Sequence, residues 1–285
     1  MNRLEEFKPE KEYFVGIDSD GCVFDTMEVK HKEFFCPNTV KYFGLFAIAK
    51  YVRETWDFVN LYSVTRGTNR FPALIRVIDL LAQRPEVAER GVILPDVEPL
   101  RKWVAGENRL GNPVFREYVR ANPDPALERV LQWTMAVNED IAKWLRDTPP
   151  FPHARKAIER LGRVADAIVV SQTPLEALAR EWKEHAIDSY VKAIAGQEQG
   201  TKSEHIAIAV AGRYPPEKIL MIGDAPGDLR AAIDNGALFF PVIPGDEDSS
   251  WKLFLDEALD RFLTGTYRGE YQESLIEAFS RSLPE

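Results

Sequence analysis

The sequence predicts an α/β protein: a doubly wound core, with helices on both faces of a parallel sheet, interrupted by an all-helical insertion. Three observations carry that expectation. Short continuous apolar runs at Tyr13-Phe14-Val15-Gly16-Ile17, Ala167-Ile168-Val169-Val170 and Ile219-Leu220-Met221-Ile222 read as strands buried on both faces. From residue 150 onward such runs alternate with amphipathic segments of helix length, the order of a parallel sheet with right-handed crossovers. Between the first and second runs lie more than a hundred residues with helical spacing and no convincing strand.

The elements follow in order. A strand near 13–18 ends at the acidic loop Asp18-Ser19-Asp20-Gly21, and Asp25 or Thr26 is a suitable helix cap. Tyr42, Leu45, Phe46, Ala49, Val52, Trp56 and Val59 then recur at helical spacing. Further helical segments are expected near 71–83, 96–105, 113–121 and 125–146. Thr148-Pro149-Pro150-Phe151-Pro152 stops that pattern, because proline removes a donor and restricts its predecessor. The alternation resumes with a helix near 153–163, a strand at 166–171 and a helix from Pro174 to about His185. A shorter strand near 190–195 leads into a loop with Gly196, Gly200 and Lys202. A helix at 203–212, a strand at 218–222, a helix at 227–235 and a strand at 237–243 follow, and two helices near 249–264 and 269–282 close the chain. The expected domains are 1–26 with 150–285, and 27–149.

A length of 285 residues suits two domains of roughly 150 residues each. The net charge of −9 argues against a general nucleic-acid or anionic-membrane partner. It divides unevenly: residues 27–149 hold 18 basic against 16 acidic side chains, leaving the remainder at −11. A slightly basic insertion beside an acidic core suits an anionic substrate, and a surface solvation pattern gives the same count. Two cysteines, Cys22 and Cys36, point to a reducing compartment and not to a disulfide framework. The first twelve residues lack an apolar leader, and the most apolar stretch, 42–52, is too short to span a membrane. A cytoplasmic protein is the expectation.

Four separated segments sit where one site requires them. They are Asp18-Ser19-Asp20-Gly21 with Asp25-Thr26, then Ser171, then Lys202, then Gly223-Asp224-Ala225-Pro226-Gly227-Asp228. Three of the four directly follow a strand, and in open α/β sheets ligands bind beyond the carboxyl ends of the strands. Each segment alone has a plainer reading. The acidic loops are also turns, Ser171 also a helix cap, Lys202 also a solvated lysine, and Asp228 also a charge favoured by a helix dipole.

Together and in this order, the segments resemble the haloacid dehalogenase-like (HAD) hydrolases, whose members are mostly Mg²⁺-dependent phosphatases with a Rossmann-like core. Lys202 lies 31 residues after Ser171 and Asp224 lies 22 after Lys202, spacings that suit the family. The resemblance covers the core and implies that residues 27–149 form a helical cap of the C1 type in a subfamily I phosphatase. It also implies roles. Asp18 is the nucleophile that forms an aspartyl-phosphate. Asp20 protonates the leaving oxygen, deprotonates the attacking water and offers a backbone carbonyl to the metal. Ser171 donates to a phosphoryl oxygen, and Lys202 neutralises nucleophile and phosphate. The metal set is Asp18, Asp20, Asp224 and Asp228.

The residues agree with that chemistry. A phosphate monoester carries about two negative charges at neutral pH. A carboxylate at ~4 Å from one such charge is repelled by ~4 kcal/mol at an effective dielectric of about 20. One lysine and a divalent cation offset that repulsion. An all-oxygen donor set without a nearby His or Cys pair favours Mg²⁺ over Zn²⁺. Dehalogenases of the superfamily lack an acid two residues after the nucleophile, so Asp20 favours phosphoryl transfer.

In the insertion, Lys30 and His31 lie one to two turns from its start. Arg66, Asn69 and Arg70 fall in the polar segment Thr65-Arg66-Gly67-Thr68-Asn69-Arg70, where guanidinium forks match a carboxylate or a second phosphate. These five are the candidate substrate residues, with an exposed loop of solvated arginines as the plain alternative. The expected activity is hydrolysis of a small phosphorylated metabolite. The alternatives are a sugar-phosphate mutase and a non-catalytic binding protein of the same fold.

Overall fold

The computed structural model describes Leu4 and residues 7–285. Part of the N-terminal segment read above as leader-free, namely residues 1–3, 5 and 6, lies outside the described residues. The chain divides into two compact units: the residues up to Met27 with Asp147–Pro284, and Glu28–Arg146.

The first unit is built on five parallel strands in the order β3-β2-β1-β4-β5. They are β1 (Tyr13–Ile17), β2 (Ala165–Val170), β3 (Ala193–Ala195), β4 (Ile219–Gly223) and β5 (Leu238–Pro241). Strand β1 is central, with Ile17 opposite Val169 on one side and Ile222 on the other. Alternate residues of these strands feed two separate cores. Val15, Ile17, Val169, Leu220 and Ile222 pack with Ile158, Leu161 and Trp182 on one face. Phe14, Ile168, Val170 and Met221 pack with Ile206, Ala209 and Phe279 on the other. Strands buried on both faces read as unbroken apolar runs, and each large side chain so buried contributes ~1.5–3 kcal/mol.

The chain leaves the sheet through α1 (Thr26–Val29) and a wide π-helical turn, Lys30–Phe35, which runs into α2 (Cys36–Tyr42). Pro37 follows that wide turn. Its ring would clash with the carbonyl four residues back in a regular helix and it has no N–H to donate. The remaining helices of the second unit are α3 (Ala49–Asn60), α4 (Arg70–Ala82), α5 (Pro85–Glu89), α6 (Glu98–Gly106), α7 (Asn112–Ala121) and α8 (Pro125–Trp144). The helical spacing of Tyr42 to Val59 is not one helix: Gly44 adopts φ +68 just beyond α2 and ends it. The core is aromatic, with Trp56 and Trp133 edge to face at 6.3 Å and Phe35 against both. The Trp133 indole N–H donates to Thr39 Oγ1 at 3.0 Å, so this large side chain is buried with its polar atom satisfied.

Back in the first unit, α9 (Pro152–Val164) leads to β2 and α10 (Leu175–Glu184) to β3. Then α11 (Lys202–Val210) precedes β4, and α12 (Pro226–Asp234) precedes β5. The last helices are α13 (Glu247–Leu253), α14 (Leu259–Thr264) and α15 (Glu270–Ser282), with a π-helical turn at Phe254–Ala258 joining the first two. Strand β3 is shorter than its apolar signal suggests, because Asp188–Tyr190 forms a tight 3₁₀ turn. Among the described residues no helix is long and apolar enough to cross a membrane.

Candidate active site

The acidic loop after β1 is held by backbone first. Asp18 N–H continues the sheet by donating to Ile222 O at 2.9 Å, and Ser19 O accepts from Val23 and Phe24. Gly21 sits at φ +77, which an L side chain adopts only under strain, so glycine closes this turn. Two buried indoles fix the loop from below. Trp182 Nε1 donates to Ser19 Oγ at 3.0 Å and Trp251 Nε1 to Cys22 O at 2.7 Å. Ser19 thus points into the core, and the residues on either side of it, Asp18 and Asp20, are left for chemistry.

Lys202, the first residue of α11, reaches Asp18 Oδ2 at 2.7 Å and Asp228 Oδ1 at 2.6 Å. Thr201 and Glu204 cap that helix reciprocally, each side chain taking the other's backbone N–H. That capping box holds the lysine's starting point. Asp228 is doubly used, its other oxygen accepting the Ala225 N–H at 3.0 Å. Gly223 is needed for this arrangement, since a Cβ there would lie 2.3 Å from Asp228 Cγ. Asp224 stands on the same loop and is fully buried. Carboxylate oxygens of Asp18, Asp224 and Asp228 lie within 4.8 Å of one another.

Burial pushes the Asp18 carboxyl well above its ordinary value, and the Asp228 and Asp224 charges push it further, while Lys202 opposes them. For Lys202 burial alone favours the neutral amine, but Asp18, Asp228 and Asp224 together outweigh it and hold the ammonium above its usual range. Lys202 is therefore a fixed cation and not a solvated lysine, with its side chain 15% exposed. Burial likewise raises the Cys22 thiol, with Asp224 and Asp18 adding to it, so it is an inert packing group.

Ser171 follows β2 and is buried. Its Oγ accepts the Thr173 N–H at 3.2 Å, which leaves the hydroxyl proton to be donated elsewhere. It does not cap α10: Leu175 N–H is taken by Glu198 Oε2 at 3.0 Å. Asp20 Oδ1 accepts from Thr26 Oγ1 at 2.5 Å and its Oδ2 from Thr173 Oγ1 at 2.6 Å.

The five candidates of the insertion all lie in the second unit. Lys30 opens the π-helical turn. His31 Nδ1 accepts from Trp56 Nε1 at 3.1 Å, and its ring stacks on Phe35 at 4.9 Å. The Arg70 guanidinium covers the same phenyl ring at 4.8 Å and donates to Thr134 Oγ1 and Asn138 Oδ1. His31 and Arg70 thus share one aromatic platform. Burial pushes the Arg70 guanidinium down to about 10. Asn69 caps α4 by accepting the Phe71 N–H at 3.1 Å. Arg66 is buried, with one donor on Leu61 O at 2.8 Å, so a solvated surface arginine does not describe it.

Reasoning from sequence missed Thr173, Glu198, Trp182 and Trp251. Thr173 had a signal, standing two residues after Ser171 in a loop that follows a strand. The other three had none, because their partners are remote in sequence.

No protein-family model and no curated protein matches the sequence. Solved structures do. A protein from Bacteroides fragilis classed as a haloacid dehalogenase-like hydrolase superposes with a TM-score of 0.51 at 13% identity, over 84% of this chain and 93% of that one. A protein from Bacteroides vulgatus classed as a β-phosphoglucomutase gives 0.48 at 14% identity, over 90% and 91%. The haloacid dehalogenase-like family protein SP0104 from Streptococcus pneumoniae gives 0.43 at 15% identity, over 84% and 90%. At these identities the likeness is one of fold, and the first of them, with the parallel sheet and its strand order, gives the conclusion: this chain has the fold of the haloacid dehalogenase-like hydrolases.

Proposed function

We propose that the protein is a Mg²⁺-dependent phosphatase that hydrolyses a small phosphorylated metabolite through an aspartyl-phosphate on Asp18. One observation carries the reading: a buried carboxylate bonded to a half-buried lysine, with two more buried carboxylates alongside, at the carboxyl ends of the central strands. Three such carboxylates against one ammonium leave a negative excess that burial penalises. A divalent cation offsets it, and the all-oxygen donors suit a hard ion such as Mg²⁺. Asp18, Asp224 and Asp228 would hold it. When bound, the cation supplies positive charge to the phosphoryl oxygens as a Lewis acid.

The chain's own groups do the rest. Lys202 orients Asp18 and opposes the rise that burial imposes on its carboxyl, Ser171 donates to a phosphoryl oxygen, and Asp20 moves protons to the leaving group and from water. Lys30, His31, Arg66, Asn69 and Arg70 are our candidates for recognising the leaving group, since guanidinium forks match anionic substituents.

A screen of phosphorylated metabolites for phosphate release tests the reading. Turnover should require Mg²⁺, vanish with a chelator, and fall by at least about a thousand-fold in Asp18→Asn, which removes the nucleophile at nearly constant shape. Arg70→Ala should then raise KM for the metabolite found more than for p-nitrophenyl phosphate. Turnover that survives exhaustive chelation, or that persists in Asp18→Asn, would sink the assignment.

A further inference from the structure

Ser19 stands between the two acids of the first loop and is fully buried. Its N–H donates to Asp18 Oδ1 at 2.8 Å. Its carbonyl accepts from Val23 at 2.9 Å, from Phe24 at 3.1 Å and from Cys22 at 3.3 Å. Its Oγ accepts the Trp182 indole N–H at 3.0 Å. Trp182 is itself fully buried near the end of α10, and its ring meets that of Phe24 edge-on at 6.0 Å. One tryptophan thus grips the turn twice, at the residue after the nucleophile and at the far side of the same turn.

The hydroxyl is the informative part. A buried polar atom costs free energy unless it is hydrogen-bonded, and an apolar side chain would fill this place without that cost. The indole N–H has the same need, so each group satisfies the other. The pairing does more than that, because it fixes Cβ of Ser19 and with it the tilt of the adjoining peptide. That peptide carries the N–H on Asp18 Oδ1, while Lys202 takes Oδ2 at 2.7 Å. Each carboxylate oxygen accepts one of these donors and keeps a second lone pair, whose direction the donors set. Resting on the phosphatase reading above, we infer that Trp182 is a positioning residue that acts through Ser19 to aim the Asp18 carboxylate at phosphorus.

The step that depends on this aim is the first. A lone pair of one Asp18 oxygen forms the bond to phosphorus as the phosphorus–oxygen bond to the leaving group breaks, and the leaving oxygen departs with that bond's electron pair. A carboxylate turned away from the line of attack slows the step even when the phosphate is held as before. Misplacement by about 1 Å costs about a hundred-fold. Losing the indole tie frees the Ser19 peptide to tilt but leaves Lys202 and every acid present, so a smaller loss is expected. Binding of phosphate without bond formation should be indifferent to it.

Trp182→Phe keeps an aromatic ring and removes the N–H. In the full chain with Mg²⁺ present it should lower kcat/KM for p-nitrophenyl phosphate about ten-fold. It should weaken beryllium fluoride, which bonds to the carboxylate oxygen itself, by about the same factor in a fluorine NMR titration. The inhibition constant of orthophosphate, which forms no such bond, should stay within about two-fold. A merely structural tie lowers the melting temperature and the active fraction, and moves neither constant. Ser19→Ala removes the acceptor and should do the same, and the double variant should lose no more than the worse single one. Unchanged beryllium fluoride affinity, equal weakening of both ligands, or losses that multiply in the double variant would overturn the inference. If Trp182→Phe does not fold, by its melting profile, Ser19→Ala is read alone against the same three constants. A wild-type protein that releases no phosphate overturns the phosphatase reading and this inference with it. Normal wild-type turnover with variants that keep their beryllium fluoride affinity overturns this inference alone.

Discussion

At the scale of single residues, the site depends on one missing side chain as much as on the charged ones present. Gly223 leaves room for Asp228 to turn back over the loop and meet both Lys202 and the Ala225 N–H. Gly223→Ala inserts a methyl group where Asp228 stands, and overpacking of that kind costs about 1–3 kcal/mol. The expected outcome is a lower melting temperature together with turnover reduced to the level of Asp228→Asn, measured side by side. A Gly223→Ala protein with wild-type turnover would show that Asp228 need not hold this position. Asp18, Ser171 and Asp224 were legible in the sequence because each stands directly after an apolar strand: Asp18 after Ile17, Ser171 after Val170, and Asp224 one residue after β4. The hydroxyls and indoles that hold them were not. Trp182 meets Ser19 across more than 160 positions, and no local pattern records such a contact.

At the scale of elements, α11 carries a histidine one turn beyond Lys202. His205 is fully buried between helix and sheet, and burial lowers its pKa, with the Gly196 backbone and Glu204 opposing. A histidine whose folded pKa lies below its unfolded value of about 6.5 contributes stability above that pH. The contribution is lost as pH falls through about 6.5 toward the folded value, because the unfolded chain binds the proton first. Urea unfolding between pH 8 and pH 5 should show the wild type losing stability faster than His205→Leu, by no more than about 1.4 kcal/mol per pH unit for one proton. Parallel curves would mean that other groups set the slope. The strands themselves were readable because burial on both faces removes all polar interruption, as in β2, where all six residues are buried. Element boundaries in the helical unit were less readable. Apolar spacing runs on from Tyr42 to Val59 regardless of the turn at Gly44, since both helices point their apolar sides into one core. The π-helical turn at Lys30–Phe35 had no signal before Pro37, because a widened turn keeps nearly the same periodicity.

At the scale of the whole molecule, the points where the chain leaves and re-enters the sheet-bearing unit are fastened together. Phe24 pairs with Pro150, and the Phe151 N–H donates to Val23 O at 2.9 Å. Excising residues 28–146 and joining the ends with a short Gly/Ser linker should therefore yield a first unit that unfolds cooperatively and is stabilised by Mg²⁺ in a thermal melt. A non-cooperative melt would show that the sheet unit needs the insertion to fold, and a cooperative one indifferent to Mg²⁺ would show that it folds without binding the cation. The same fastening bears on how the chain is made. Strand β1 is synthesised early, yet its partners β2 and β4 follow only after the helical unit is complete. Closing a loop of roughly 150 residues costs about 1.4 kcal/mol more than closing one of roughly 30. A helical unit that folds first on the ribosome, with its ends drawn together, shortens the loop by about that ratio. Until then β1 is an apolar strand without its partners, flanked by Glu10, Lys11 and Glu12 on one side and Asp18 and Asp20 on the other, the kind of charges that discourage an exposed strand from pairing with another copy of itself.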